Sequence, residues 1–257
     1  MPESDLLLLT RAAEAAGEIA LRHFGAEPKS WDKGDGAGPV SVADIEVNEM
    51  LLDVLRPARP DYGWLSEESE DTKNRLSTKR QFVIDPIDGT RAFLEGARDW
   101  GHSLAIVEDG RVIVAAAFFP VREQLFSAEL GAGANRNGST IEARKERTIS
   151  ATDVLAARPN LQPGFWKGGT PPPFKRHFRS SLAYRLCAVA EGKFDAMLTL
   201  RPSWEWDIAA GSLIVEEALG HATDRQGAPL RFNNPDPRVN GVVAGGAIHA
   251  ALIDRLA

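Results

Sequence analysis

The sequence predicts an α/β (α+β) chain, with an antiparallel sheet in its N-terminal half and a mixed sheet with helices in its C-terminal half. Three observations predict it. The turn dipeptides Asp109-Gly110 and Asn137-Gly138 lie between apolar runs, which marks adjacent hairpins. Past about Arg144 the rhythm becomes strand, helix, strand, and two helical runs stop at Gly192 and Gly220. Apolar and charged fractions of 43% and 26% are those of an ordinary folded globule, so disorder is not the default.

In chain order, Ser4 is placed to cap a first helix over about 5–24, rich in Ala and Leu. Residues 34–38 are glycine-rich and read as a mobile loop, with Lys33 at its edge. Ser41-Val42-Ala43-Asp44 has the form of a capping box with Asp in the Glu position, so a second helix runs over about 42–55. Strands follow at 62–66, 81–84, 101–108, 111–119 and 123–129. Residues 91–95 lack strand alternation and open a helical turn. In the second half, 182–191 and 208–219 are helical, 194–200 and 239–244 are strands, and 248–256 is a closing helix. Residues 158–173, loaded with Pro and Gly, are loop. Two halves are expected, 1–145 and 146–257.

At 257 residues the chain suffices for one large domain or two modest ones. The net charge of −6 argues against a nucleic-acid partner, although an anionic substrate is compatible with it if metal ions invert the local field. Cys187 is the only cysteine, so no intrachain disulfide forms, and its apolar, helix-like setting reads as a buried core thiol. The early apolar run Leu6 to Leu9 is too short for a signal core or a membrane span, so no membrane partner and a cytoplasmic location are expected. The five histidines lack metal spacing, which argues against zinc.

Chemistry concentrates at Asp85-Pro86-Ile87-Asp88-Gly89-Thr90. Two carboxylates at a strand end hold hard cations by oxygen, and the free amides of the following turn face an anion. Pro86 stiffens the turn, and Gly89 lets backbone approach a ligand. Either dipeptide alone reads as a turn that merely stops a strand. Two further acidic elements change that balance: Trp64-Leu65-Ser66-Glu67-Glu68 upstream, and Trp206-Asp207-Ile208-Ala209-Ala210-Gly211 downstream. Four acids from separate strand and helix ends can meet the oxygen-rich shell magnesium requires; one cannot.

Together the three elements resemble the signature of the inositol monophosphatase superfamily, magnesium-dependent and lithium-sensitive phosphomonoesterases. The resemblance spans about Lys33 to Gly220. Haloacid-dehalogenase phosphatases are excluded, because their D-x-D-G-T carries one residue fewer between the acids. The resemblance implies a layered αβαβα sandwich and two or three magnesium ions. It assigns Glu67, Asp85 and the Ile87 carbonyl to a first ion, and Asp85, Asp88 and Asp207 to a second; a third, weaker ion shares Glu67. It also implies that Thr90, oriented by Asp44, positions the attacking water. Asp44 falls in Pro39-Val40-Ser41-Val42-Ala43-Asp44, which is similar to the family's P-V-T-x-A-D element. Substrate phosphate is expected against Asp88, Gly89, Thr90, Ser181 and Asp207. Relatives in this superfamily are often dimers, and the Phe118-Phe119 strand reads as core or as interface.

Blander readings stand beside these. Glu68, Glu70 and Asp71 read as a solvated acidic face. Asp44 can be a plain capping residue, and Asp207 an N-cap compatible with cation binding. Trp204 and Trp206 read as packing residues, and Lys33 as either a phosphate contact or simply exposed. Asp88→Asn is expected to abolish turnover and leave the fold intact.

Substrate is less legible. Inositol monophosphatases carry a Glu about seven residues before the downstream motif Asp; here Met197-Leu198-Thr199-Leu200-Arg201 offers no acid. Ser180-Ser181-Leu182 looks like the G-S-S-L of the 3'(2'),5'-bisphosphate nucleotidase branch, although Asp88-Gly89-Thr90 is followed by Arg91-Ala92-Phe93, without that branch's acid. Arg185, Arg201 and Lys175 are candidates for a second phosphate. The expected substrate is a small phosphate ester, adenosine 3',5'-bisphosphate first, with inositol 1-phosphate and then histidinol or sugar phosphate as alternatives. A non-catalytic regulator that binds phosphate ligands is the reading from a different class.

Overall fold

The computed structural model describes residues 3–34, 38–145 and 148–257, so residues 35–37 of the expected mobile loop lie outside the described residues. Helix α1 spans Asp5–His23, and Ser4 Oγ accepts from the Leu7 amide at 3.2 Å. Short strands β1 (Ser30–Asp32) and β2 (Pro39–Ser41) pair antiparallel and lead into α2, Val42–Ala58. Then come β3 (Gly63–Ser66), β4 (Arg80–Asp88), the short helix α3 (Thr90–Leu94), β5 (Gly101–Glu108), β6 (Arg111–Phe119), β7 (Gln124–Glu129), β8 (Gly133–Arg136) and β9 (Ser139–Thr140). These seven strands form one sheet in sequence order; β3 and β4 are parallel and every later pair is antiparallel. Both hairpin dipeptides lie in the left-handed region, Asp109 and Gly110 at φ 51° and 78°, Asn137 and Gly138 at 49° and 77°.

The second half contributes β10 (Asp153–Ala156), β11 (Lys175–His177), α4 (Leu182–Ala190), β12 (Ala196–Thr199), β13 (Ser203–Trp204), α5 (Glu205–Glu217), β14 (His221–Thr223), β15 (Arg238–Val239), β16 (Val242–Gly245) and α6 (His249–Ile253). A mixed five-stranded sheet has the order β11-β10-β12-β16-β14. Residues 158–169 form only three short 3-10 turns, as their Pro and Gly content dictates.

Side-chain alternation builds the layers. On β4, Phe82 and Ile84 pack beneath α1 and α2, while Val83 faces α4 and α5. On β12, Met197 faces the same helix pair, while Ala196 and Leu198 join Trp166, Ile248 and Leu252 on the far side. The order is therefore helix, sheet, helix, sheet, helix, an αβαβα sandwich with α4 and α5 in the middle. Gly17 lets α1 lie on β6, because a Cβ there would meet Phe118 Cε1 at 2.5 Å. Phe119 is fully buried against Phe126 and Tyr184 and belongs to the core, while Phe118 is half-buried and packs beneath α1. Cys187 is buried in the middle layer. Among the described residues no helix is long and apolar enough to cross a membrane.

Several boundaries differ from expectation: the strand expected at 239–244 is Val242–Gly245, with Arg238–Val239 in a separate strand, and the closing helix ends at Ile253. Strand β4 runs on through Asp88 instead of stopping at Ile84, because a register shift between Asp85 and Asp88 absorbs Pro86. Helix α5 begins at Glu205, so Asp207 is the third residue of its first turn and not its N-cap, which is Trp204. At its far end Leu219 takes the left-handed position at φ 64°. Gly220 is needed for space instead, since a Cβ there would meet the Val215 carbonyl at 3.0 Å.

Candidate active site

Three chain segments deliver acids to one corner. Glu67 follows β3 and is held beside β4 by its amide, which donates to the Ile84 carbonyl at 3.2 Å. Asp85 lies within β4, and Asp207 in the first turn of α5. Oxygen atoms of these three carboxylates all lie within 4.8 Å of one another. At that spacing each like-charge pair repels by on the order of 3 kcal/mol at an effective dielectric near 20. Burial, then the neighbouring acids Glu67, Asp88 and Asp207, push the Asp85 carboxyl well above its ordinary range. Burial, then Asp88 and Glu67, do the same to Asp207. Asp85 Oδ1 is buried and has no hydrogen-bond partner. An all-oxygen, over-charged donor set with an orphaned oxygen fits a hard divalent cation, magnesium foremost.

Lys33 occupies the outer side of this cluster. Its ammonium donates to Glu67 Oε1 at 2.7 Å and to Glu68 Oε1 at 2.5 Å. It is thus neither free nor exposed, and Glu68 is not part of a solvated face: its side chain is 6% exposed. Burial holds Glu68 up at about 7, against the pull of Lys33. Asp71 is likewise engaged, as a two-pronged acceptor for the buried Arg75.

Asp44 divides its two oxygens. Oδ2 accepts from the Ser41 amide and hydroxyl at 2.8 and 2.6 Å, which completes the capping box of α2. Oδ1 accepts from Thr90 Oγ1 at 3.0 Å. Burial raises the Asp44 carboxyl above its ordinary value, opposed by the Ser41 and Thr90 donors. Thr90 Oγ1 also stands 3.1 Å from the Ile87 carbonyl, so the hydroxyl is pinned between α2 and the turn. Gly89 adopts φ 96° and passes so close to Asp99 that a Cβ would meet its carbonyl at 2.9 Å.

Asp88 is turned differently from the other acids. Its Oδ2 accepts from Ser181 Oγ and from the Ala183 amide at 2.6 Å, and its Oδ1 from the Leu182 amide at 3.3 Å. It binds the N-terminus of α4 and stands outside the three-acid cluster. Despite these donors, burial keeps its carboxyl up at about 6. Ser181, expected at the substrate, is fully buried instead: its hydroxyl donates to Asp88 and accepts from the Tyr184 amide at 2.8 Å. Its neighbours Ser180 and Leu182 reach the cavity.

That cavity, of about 590 Å³, opens over Glu67, Asp85, Ile87, Asp88, Thr90 and Asp207. Its outer walls carry Arg91, Arg185 and Arg201 together with Phe165, Phe178 and Trp204. Arg185 is buried against the Phe178 ring, and burial lowers its guanidinium to about 10. Lys175 lies away from the cavity, on the edge strand β11 beside Asp153 at 3.5 Å. Trp204 is 39% exposed, so it is not wholly a packing residue; its ring stacks on Trp206 at 4.8 Å and lies under Arg238 at 5.3 Å. Phe165 comes from the stretch read only as loop, and no local signal marks it.

The family model for the inositol monophosphatase family matches residues 2–257. The chain is 32% identical over 243 residues to an inositol-1-monophosphatase of Rhizobium meliloti, covering 88% of each chain. It is 32% identical over 254 residues to a 3'-phosphoadenosine 5'-phosphate phosphatase of Mycobacterium leprae, covering 91% of this chain and 86% of the other. An IMPase structure from Thermotoga maritima superposes with a TM-score of 0.82 at 26% identity, over 96% of this chain and 94% of that one. A match along almost the whole chain, with the layered fold and an acid cluster that could hold metal, makes this protein a phosphoric monoester hydrolase belonging to the inositol monophosphatase family.

Proposed function

We propose that the protein is a magnesium-dependent phosphomonoesterase that removes the 3'-phosphate from a nucleoside 3',5'-bisphosphate, adenosine 3',5'-bisphosphate above all. The observation that carries the substrate choice is the cavity wall. Beyond the acids of the catalytic corner, its described lining residues include no carboxylate to grip sugar-ring hydroxyls. It is lined instead by Arg91, Arg185 and Arg201, whose positive charge suits a second phosphate, and by Phe165 and Phe178, whose rings suit a base.

Glu67, Asp85 and Asp207 would hold the metal, with the Ile87 carbonyl and Asp88 Oδ1 as further oxygen donors. Magnesium, when bound there, neutralises phosphate charge and acidifies water. The protein's own groups do the positioning. Thr90 Oγ1 donates its hydrogen bond to Asp44 and keeps its proton, so its lone pairs are left to accept from the attacking water. The amides of Gly89 and Thr90 receive phosphate oxygens. Water adds at phosphorus as the ester P–O bond breaks; one of its two protons stays on the inorganic phosphate and the other balances the proton that the leaving oxygen takes to become the alcohol.

Equal identity to an inositol-1-monophosphatase sustains inositol 1-phosphate as the second reading. Phosphate release under magnesium, compared across adenosine 3',5'-bisphosphate, inositol 1-phosphate and histidinol phosphate, is the test. The bisphosphate is expected to have the highest kcat/KM. Preference for inositol 1-phosphate by about tenfold, worth about 1.4 kcal/mol of transition-state binding, would overturn the assignment.

A further inference from the structure

Behind the acid corner lies a buried polar network that none of the assigned site residues belongs to. The Arg75 side chain is wholly buried. Its Nε and Nη2 donate to Asp71 at 3.0 and 2.7 Å, its Nη1 to Asn233 Oδ1 at 2.7 Å, and its Nη2 to the Asn234 carbonyl at 3.0 Å. The same turn is gripped from the other side by Glu205, also fully buried. Glu205 Oε2 accepts from the Asn233 amide at 2.6 Å, and Oε1 from the Asn234 amide and side chain at 2.9 and 2.7 Å. Asn233 sits at φ 60°, a conformation asparagine tolerates better than most residues.

The two ends of this network are informative. Asp71 and Arg75 lie on the segment between β3 and β4 that begins with Glu67. Glu205 is the first residue of α5, two ahead of Asp207. Glu67 and Asp207 are thus the two members of the cluster that sit off the rigid centre of the sheet, and the network bolts their segments together through the turn at 233–234. Arg75 is paired with Asp71, but the Glu205 carboxylate is buried with only amide donors; burying charge this way costs several kcal/mol, and apolar packing would join the segments at lower cost. What such a network provides instead is fixed geometry. Magnesium, with its narrow octahedral tolerance, is sensitive to geometry.

We propose that Arg75 and Glu205, joined through Asn233 and Asn234, are positioning residues that set the gap between Glu67 and Asp207, and through it the metal affinity of the site. The inference rests on the metal-centre reading above.

The test is Mn²⁺ titrated into the full chain and followed by the electron paramagnetic resonance of free Mn²⁺, which requires no turnover. Glu205→Gln is expected to weaken Mn²⁺ binding and raise half-saturating Mg²⁺ by about tenfold, with kcat at saturating Mg²⁺ within about threefold of wild type. Arg75→Lys, which keeps charge but loses the fork, is expected to shift both in the same direction. Asn234→Ala, a milder cut, serves if Glu205→Gln does not fold. Arg59→Met, which breaks the distant contact to Asp5, controls for lost stability: it should lower the melting temperature and leave Mn²⁺ affinity alone. Lowered melting temperatures with unchanged Mn²⁺ affinity in the Glu205 or Asn234 variants would reduce the network to a structural brace and overturn the proposal. Asp207→Asn in the same assay separates the two claims. If it binds Mn²⁺ as wild type does, or if wild type binds none, the metal-centre reading has failed and this inference falls with it.

Discussion

Asp44 and Thr90, 46 residues apart in sequence, meet through a 3.0 Å hydrogen bond, and the acid that makes it caps a helix with its other oxygen. One side chain therefore serves local structure and the reactive turn together. The Thr90 hydroxyl has a fixed direction because α2 cannot rotate without breaking its own cap.

Thr90→Val should accordingly lose about a hundredfold in kcat, the range for removing one positioned group at a reacting centre. The fold should survive, since the methyl replaces a hydroxyl of similar size. Thr90→Ser should retain most activity. Steady-state phosphate release and thermal melts, taken together, check this.

Asp85→Asn should stabilise the protein without metal while abolishing turnover. It removes one of three crowded charges and leaves the shape unchanged. A gain of about 1 kcal/mol would raise the melting temperature by ~2–4 °C in a chain of this size. Magnesium should raise the melting temperature of wild type, because it binds only the folded form, and should do so far less in the variant. Melts with and without magnesium read both effects.

For Asp88→Asn the structure revises the sequence-based expectation of an intact fold. Both carboxylate oxygens of Asp88 accept from donors at the start of α4. An amide there turns a donor either toward the Leu182 amide or toward the Ser181 hydroxyl and Ala183 amide, so a loss of about 1–3 kcal/mol is expected alongside the loss of activity. Denaturant titration of the variant would reveal it; an unchanged midpoint would count against this account.

Arg201 is exposed on the cavity rim, so its removal is safe for folding. If the guanidinium groups hold a second phosphate, Arg201→Ala should raise KM for adenosine 3',5'-bisphosphate by about tenfold, the scale of one charge-assisted contact. KM for inositol 1-phosphate should stay within about twofold.

Two buried histidines predict an acid-side loss of stability. Burial lowers His102 to about 4, against its contact with the Pro86 carbonyl, and burial with the nearby His221 lowers His249 to about 4. Both values lie below the unfolded value near 6.5, so the unfolded chain binds the extra proton between the two. The stability each neutral ring contributes is full above about pH 6.5 and is lost as the pH falls toward 4; for the fully buried His102 it is on the order of 3 kcal/mol, and for His249 it is smaller. The melting-temperature advantage of wild type over His249→Gln should therefore shrink across that window.

Local physics made much of this protein legible without coordinates. Asp109-Gly110 and Asn137-Gly138 prefer left-handed turns wherever they occur, and Ser41 with Asp44 closes its box within one helical turn, so hairpins and helix starts could be read directly. The acids of the corner were legible because their spacing and neighbours resemble a known catalytic pattern. Only tertiary packing decided how those acids are used. Asp88 meets Ser181 across 93 residues, Lys33 meets Glu67 across 34, and Arg75 meets Asn233 across 158. Such pairs depend on how sheets and helices stack, because a buried carboxylate takes whichever donor the packed layers bring to it. Sequence marks which residues carry charge; burial decides which of those charges are answered from within the chain, and which, like that of Asp85, are left for a cation.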